Sequence, residues 1–235
     1  MPVPVRFRLA APIKQLIIMN NKYNFQQAKF YITSDSIEQL PTITKAEIAI
    51  VGRSNSGKSS LINTLTNQKK LAFTSKTPGR TQHINFFVIN DNNFLVDLPG
   101  YGYAKLPKSK QQHLSTLIGG YLSDRQSLVG LIIIIDIRRL LPPAVSFTEL
   151  DHHMINEFLF QQKPIHLILS KSDKLSTSKI KQATNLVLKL LQRDYAVDSQ
   201  DLPITFQTFS SFNRQGLNQL ELLMSTWLNQ KLNSI

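Results

Sequence analysis

The chain has no cysteine among its 235 residues. That excludes disulfides, cysteine-ligated metals and thiol catalysis, and it leaves a cytoplasmic location expected but unforced. Long apolar runs are missing as well. No stretch reaches the roughly 18–20 residues that span a bilayer. The longest candidate, Leu131 to Ile135, has the length and β-branched make-up of a buried strand. There is no internal repeat, no low-complexity tract and no linker that would split the chain. Acidic residues are few: 15 Asp and Glu stand against 27 Lys and Arg, a net charge of +12. A domain this basic either carries the charge for solubility or meets a polyanion, and the second reading is favoured. With 42% hydrophobic residues, the length suffices for one sizeable core.

Met1 to Ile18 holds Arg6, Arg8 and Lys14 among apolar residues. A secretory signal needs a longer apolar core and a small-residue cleavage site. The expectation is instead an N-terminal arm over residues 1–27, with Met19 as an alternative start, ahead of one domain over residues 28–235. Within that domain, strand patterns fall at Glu47–Val51, Ile84–Asn90, Phe94–Asp97, Leu128–Asp136, Ile165–Ser170 and Ile204–Phe209. Helix patterns lie near Lys58–Thr66, Ser109–Ser123, Ser146–Gln161, Ser178–Tyr195 and Gly216–Asn233. This alternation predicts an α/β fold: a six-stranded, mostly parallel sheet with helices on both faces. Asp91-Asn92-Asn93 reads as a hairpin connection, which makes one edge strand antiparallel. In the last helix Leu217, Leu220, Met224, Trp227 and Leu228 fall at helical spacing, which favours core packing over a dimer seam.

The chemistry starts at Gly52-Arg53-Ser54-Asn55-Ser56-Gly57-Lys58-Ser59, set between a strand and a helix. This fits G-x-x-x-x-G-K-[ST], the phosphate-binding loop. Glycines let the backbone curl so that N–H groups face phosphate, and the helix N-terminus adds positive potential. Lys58 reaches the terminal phosphates and the Ser59 hydroxyl holds Mg²⁺. At average residue usage the bare pattern arises by chance in roughly one chain in a hundred of this length, and the flanking elements make chance rarer. The loop alone does not choose between ATP and GTP. Asp97-Leu98-Pro99-Gly100 has the form D-x-x-G at a strand end, where Asp holds Mg²⁺ through water and the Gly N–H meets the γ-phosphate. Ser170-Lys171-Ser172-Asp173 follows another strand. A carboxylate there accepts two hydrogen bonds from guanine N1 and N2, a donor pair that adenine lacks, while the Lys171 stem lies over the base. Phe209-Ser210-Ser211 offers backbone N–H groups to the guanine O6.

In this order the motifs resemble a translation-factor-related small GTPase, and their wording is similar to the EngB (YihA/YsxC) family of ribosome-biogenesis GTPases, in the TRAFAC class. The resemblance rests on the run Glu47 to Asn63, on Thr77 to Gln82 with Ile84 to Phe87, on Asp97 to Lys105, on Asp136 to Arg138, and on Phe209 to Ser211 with Gly216. Ala28 to Phe30 and Gln39 to Pro41 resemble its lead-in. It covers about residues 28 to 232. It implies a Ras-like G domain, binding of GTP or GDP with Mg²⁺, GTP hydrolysis, and assembly of the large ribosomal subunit, with a need in normal cell division and septation. It further implies that Ser59 and Thr81 ligate Mg²⁺, and that Gly79, Arg80, Thr81, Gln82 and His83 form the first switch. Lys58, Asn55, Thr81 and Gly100 are then the groups expected to carry catalysis.

Three departures bear on that expectation. The base-reading motif opens with Ser170 where the family usually has Asn or Thr; the hydroxyl is kept, so a tie to the phosphate loop remains possible. Ser56 replaces a small apolar residue. The connection from Asp136 to Asp151 looks longer than the family's, which leaves the roles of Arg138 and Arg139 open. At the position where Ras-type enzymes carry a water-orienting glutamine stands Tyr101, so a slow intrinsic turnover is expected. Asn55 either helps bind K⁺ beside the phosphates or only braces the loop. Arg80 is read as a partner-facing side chain ahead of an internal arginine finger. Lys69, Lys70 and Lys76 near the first switch, and Lys105, Lys108 and Lys110 after the second, make a surface for rRNA of a large-subunit precursor, with Tyr101 and Tyr103 available for stacking. A monomer without DNA specificity or membrane contact is expected. The competing readings are a P-loop ATPase or nucleotide kinase, an RNA-binding module with a structural nucleotide site, and a separate G subunit of a transporter.

Overall fold

The computed structural model describes residues 23–73, 83–90, 92–101, 107–143, 145–195 and 204–232. Seven strands form one sheet: β1 (Lys29–Ser34), β2 (Ala46–Gly52), β3 (Ile84–Asn90), β4 (Asn93–Asp97), β5 (Leu128–Asp136), β6 (Ile165–Ser170) and β7 (Ile204–Thr208), in the order β1-β3-β4-β2-β5-β6-β7. From β4 to β7 every pairing is parallel. β3 runs antiparallel to both β4 and β1.

The predicted architecture holds, with one strand more than the six expected. β1 takes the edge, so the antiparallel strand β3 lies one place inside it rather than at the border. β1 escaped the pattern reading because it is exposed along its length except at Ser34. A strand with no buried face carries no alternation to detect.

Among the described residues five α-helices cover the sheet: α1 (Lys58–Leu65), α2 (Lys108–Asp124), α3 (Glu149–Phe160), α4 (Thr177–Tyr195) and α5 (Leu217–Leu232). The parallel strands are apolar on both sides because both sides are covered. On β2, Ala49 and Val51 join the core under α2, α3 and α4. Ile48 and Ile50 point the other way, into the core under α1 and α5. β5 alternates likewise, with Leu131, Ile133 and Ile135 on the first face and Ile132 and Ile134 on the second. Leu217, Leu220, Met224, Trp227 and Leu228 are all buried within the second core, which makes that face of α5 packing and not a dimer seam. Tyr23 and Phe25 are buried there too, so the last residues of the arm read as 1–27 belong to the packed body.

A fully buried carboxylate, Glu47, opens β2. The Arg125 guanidinium donates to both of its oxygens, and Tyr121 and Ser127 add hydroxyl donors. Arg125 also reaches the Pro41 carbonyl across 2.6 Å. One satisfied ion pair thus fastens the segment before β2 to the end of α2, and removing either partner would strand a buried charge.

Candidate functional site

The parallel arrangement sends the C-terminal ends of β2, β4, β5, β6 and β7 to one edge of the sheet, the place where open α/β sheets bind ligands. The phosphate loop leaves β2 there and ends at Gly57, the residue before α1, at φ 106. That left-handed conformation favours glycine. At Gly52 a side chain is excluded by space: a Cβ would lie 2.6 Å from the Ser56 hydroxyl and 2.7 Å from the Ile134 carbonyl. Asn55, at φ 64, turns the tip of the loop, and its side chain faces solvent.

Lys58 and Asp97 form a buried ion pair across the loop. Ser59 follows in the first turn of α1, half-buried. The Leu98 N–H donates to Ile50 O at 3.0 Å, and Leu98, Pro99 and Gly100 are all buried. The Asp97 segment is therefore fixed to β2. Its continuation is fixed to the loop: Tyr101 N–H donates to Gly52 O, and Ser54 N–H donates to Tyr101 O.

The Tyr101 side chain packs into the core. It is buried, and its hydroxyl donates to Asp151 Oδ1. Burial pushes the phenol well above its ordinary value, and the Asp151 charge adds to the rise. Asp151 is positioned by its own helix start. Its Oδ2 accepts from the Thr148 backbone N–H at 2.8 Å and from the Thr148 hydroxyl at 2.7 Å, which completes a capping box on α3. The signal was present in the sequence as Thr148-Glu-Leu-Asp151 ahead of an apolar run. Its link to Tyr101 was not.

At the base-reading end, the Ser170 hydroxyl lies 2.6 Å from the Ser56 carbonyl, so the tie from β6 to the phosphate loop is present. Lys171, at φ 60, sends its ammonium to the Asn55 carbonyl at 2.6 Å and to Asp136 at 3.0 Å. Arg138 holds the same carboxylate with two donors. Burial alone would raise the Asp136 carboxyl; the hydrogen bonds from Arg138 and Lys171 outweigh it and hold the group low. The role that the sequence left open for Arg138 is thus to brace Asp136, the carboxylate that holds Lys171.

Asp173 accepts from the Ser210 hydroxyl at 2.7 Å and pairs with Lys174 at 3.3 Å. The Ser210 bond is the main reason its carboxyl lies below the usual range. Ser172 is buried, and its N–H donates to Phe209 O. Of the three backbone donors expected to face the base, two are spent within the protein. Phe209 N–H bonds Leu169 O and Ser210 N–H bonds Gln215 O. Ser211 N–H alone keeps no protein acceptor among the described residues. Gln215, which fixes this loop, was missed because nothing in the spacing marks a carbonyl acceptor.

Of the remaining expected residues, Arg53 pairs with Tyr101 as a lone parallel bridge, and His83 is exposed just before β3. Gly79, Arg80, Thr81 and Gln82 lie outside the described residues, as do Lys76, Tyr103 and Lys105. Lys69, Lys70, Lys108 and Lys110 are exposed.

A phosphate loop on the second strand, a buried Asp at the neighbouring strand end and an S-K-S-D turn tied back to the loop define the class: a P-loop GTPase with a Ras-like G domain. Residues 47–171 match the family described as "50S ribosome-binding GTPase". A probable GTP-binding protein EngB from Neisseria meningitidis serogroup B is 47% identical over 205 residues, 87% of this chain and 93% of that protein. Its counterpart in Nitrosomonas europaea is 45% identical over 205 residues, 87% of each chain. The chain belongs to the EngB family of GTP-binding proteins. The crystal structure of a probable GTP-binding protein engB superposes with a TM-score of 0.63 at 22% identity, over 79% of this chain and all of that one, and so shares the fold.

Proposed function

We propose that this protein is a GTP-hydrolysing switch that assists assembly of the large ribosomal subunit and, through it, normal division and septation. The observation that carries the reading is the convergence of Lys58, Asp97, Ser170, Asp173 and Ser210 at one sheet edge, in the order a guanine nucleotide needs from phosphates to base. Lys58 would exchange Asp97 for the β- and γ-phosphates, and the loop N–H groups would cradle the phosphate chain. Asp173 would read guanine N1 and N2, the Ser211 N–H would meet O6, and the Lys171 stem would lie along the base. The buried Asp97 carboxylate and the Ser59 hydroxyl are hard oxygen donors of the kind Mg²⁺ takes, with Thr81 as a further ligand. Mg²⁺ supplies neutralisation of phosphate charge; K⁺ at Asn55 would add to it beside the β–γ bridge.

Tyr101 supports slow intrinsic turnover, since its hydroxyl is engaged by Asp151 and its backbone is held by the loop. The family description as ribosome-binding supports the partner, and a charge of +12 with exposed lysines beside both switch segments supports contact through rRNA. GTP, more than GDP, is expected to favour that contact, with a steep salt dependence. An assembly factor that leaves the ribosome after hydrolysis acts in the cytoplasm.

Two measurements test this reading. GTP must outcompete ATP for the site, and Asp173→Asn must shift preference from guanine toward xanthine, whose 2-oxo group accepts from an amide. Equal competition by ATP would return the ATPase or kinase reading. Sedimentation of particles from depleted cells must show an immature large subunit, and normal profiles would remove the assembly role.

A further inference from the structure

Beside the phosphate loop lies a cavity of about 190 Å³. It is walled by Arg53 to Ser56 of the loop, by the end of β5, and by the connection from Arg138 to Asp151. None of Lys58, Ser59, Asp97, Asp173 and Ser210 lines it. It is therefore separate from the groups assigned to the β- and γ-phosphates, the metal and the base, and shares with them only the wall formed by the loop and Lys171.

The charges around this cavity do not balance. Four cations, Arg53, Arg138, Arg139 and Lys171, face two carboxylates, Asp136 and Asp151. Asp136 is held by Arg138 and Lys171. Asp151 is held by Thr148 and Tyr101. Arg53 and Arg139 are left with no carboxylate in salt-bridge range among the described residues. Both stand close enough to Tyr101 to pull against the rise of its phenol. The Ser56 hydroxyl is closed off beneath the loop, against Gly52, and faces no open space. Ser146 adds an exposed hydroxyl to the lining. Two guanidinium forks and the Ser146 hydroxyl around so small a space suit a compact tetrahedral oxyanion, because guanidinium donors match phosphate oxygens in pairs. A nucleoside would need a larger pocket.

We propose that this cavity is a second site for a phosphate-class oxyanion, held by Arg53 and Arg139 with the hydroxyl of Ser146, and coupled to the state of the nucleotide site. The oxyanion comes either from the backbone of a bound RNA or from free phosphate. The coupling rests on the nucleotide reading above. Arg53 belongs to the phosphate loop and is bridged to Tyr101, the residue after Gly100. The Asn55 carbonyl at the opposite wall receives Lys171. An anion that draws in Arg53 thus acts on the loop and on the second switch together, and by linkage the nucleotide changes the anion's affinity by the same factor.

The test uses the full chain saturated with GDP and Mg²⁺, so that added anion cannot enter the phosphate loop. Inorganic phosphate and a single-stranded RNA of mixed sequence are titrated separately by calorimetry. Arg139→Gln and Ser146→Glu are compared with Lys179→Gln, an exposed lysine outside the cavity. Loss of the Arg139 cation in one variant, and a carboxylate set against the anion in the other, are each expected to weaken binding roughly tenfold or more, with no change in Lys179→Gln. Weakening for RNA alone assigns the anion to a backbone phosphodiester; weakening for inorganic phosphate as well assigns it to the free oxyanion. Wild-type affinity in both cavity variants, or binding that disappears once GDP is present, overturns the proposal. A chain that fails to bind GDP at all would instead sink the nucleotide reading, which the initial GDP titration measures on its own.

Discussion

The Ser170 hydroxyl donates to the Ser56 carbonyl across 2.6 Å and so joins the base-reading end of β6 to the phosphate loop. Both residues are buried, and the acceptor is a main-chain group one position before Gly57. The bond sets where the loop stands relative to Asp173, three residues further along. Ser170→Ala removes it and leaves that carbonyl short of its donor, with a destabilisation of about 1–3 kcal/mol. GDP affinity is expected to fall by about tenfold, the change that 1.4 kcal/mol represents. Ser170→Thr keeps the hydroxyl and is expected to bind like wild type. GDP titration and urea unfolding of the three proteins check this; equal affinity for Ser170→Ala would show that the tie is dispensable.

Tyr101 is held through its hydroxyl by Asp151 and through its backbone by Gly52 and Ser54. Tyr101→Phe keeps the backbone bonds and the packing and removes only the bond to a carboxylate, a loss of about 1.5–3 kcal/mol. Because that hydroxyl is buried and engaged by Asp151, GTP turnover is expected to stay within about twofold of wild type. Thermal unfolding and steady-state phosphate release separate the two effects. A large fall in turnover with unchanged stability would place the phenol in the reaction instead.

Much of this site was legible because its motifs depend on local sequence. Gly57 must turn with positive φ, Lys58 must open a helix, and Asp173 must follow a strand end by a fixed count. Relations across the chain were not legible. Lys171 meets Asn55 and Asp136, Tyr101 meets Asp151 50 positions away, and Ser210 N–H is spent on Gln215 O. No period or spacing encodes those encounters; they follow from which strand ends the sheet places side by side. β1 stayed hidden for the opposite reason, since a strand with no buried face has no apolar alternation.

His166 on β6 predicts the acid behaviour of the fold. It is buried, with Thr205 Oγ1 at 2.7 Å from Nδ1 and Gln207 Oε1 at 3.2 Å from Nε2. The Gln207 amide nitrogen donates to Gly216 O, which leaves its oxygen to accept from Nε2–H. Burial brings the imidazole from 6.5 down to about 4, and the Gln207 bond recovers only part of the shift. Between those values the unfolded chain binds the proton and the folded chain does not. Stability contributed by neutral His166 is therefore full above pH 6.5 and is lost as pH falls toward 4. The loss is on the order of a few kcal/mol. Urea unfolding at a series of pH values should show this slope in wild type and a flatter one in His166→Gln. Parallel slopes would assign the acid sensitivity to other groups.

On the proposed reading, Asn55 is where the charge of hydrolysis would be met. With Tyr101 engaged by Asp151, no side chain at the usual glutamine position faces the phosphates, and stabilisation of the β–γ bridge must come from fixed charges near the loop. Lys171 cannot move in to supply it without leaving the Asn55 carbonyl and Asp136. Asn55 stands at the exposed tip of the loop at φ 64, where its side-chain oxygen can meet a monovalent cation. GTP turnover is accordingly expected to be several-fold higher in KCl than in NaCl at equal ionic strength, since K⁺ sheds its water more readily. Asn55→Ala should abolish the difference while GDP affinity stays close to wild type. Equal rates in the two salts would leave Asn55 as a brace for the loop and move the search for the missing charge to Arg80 or to the ribosomal partner.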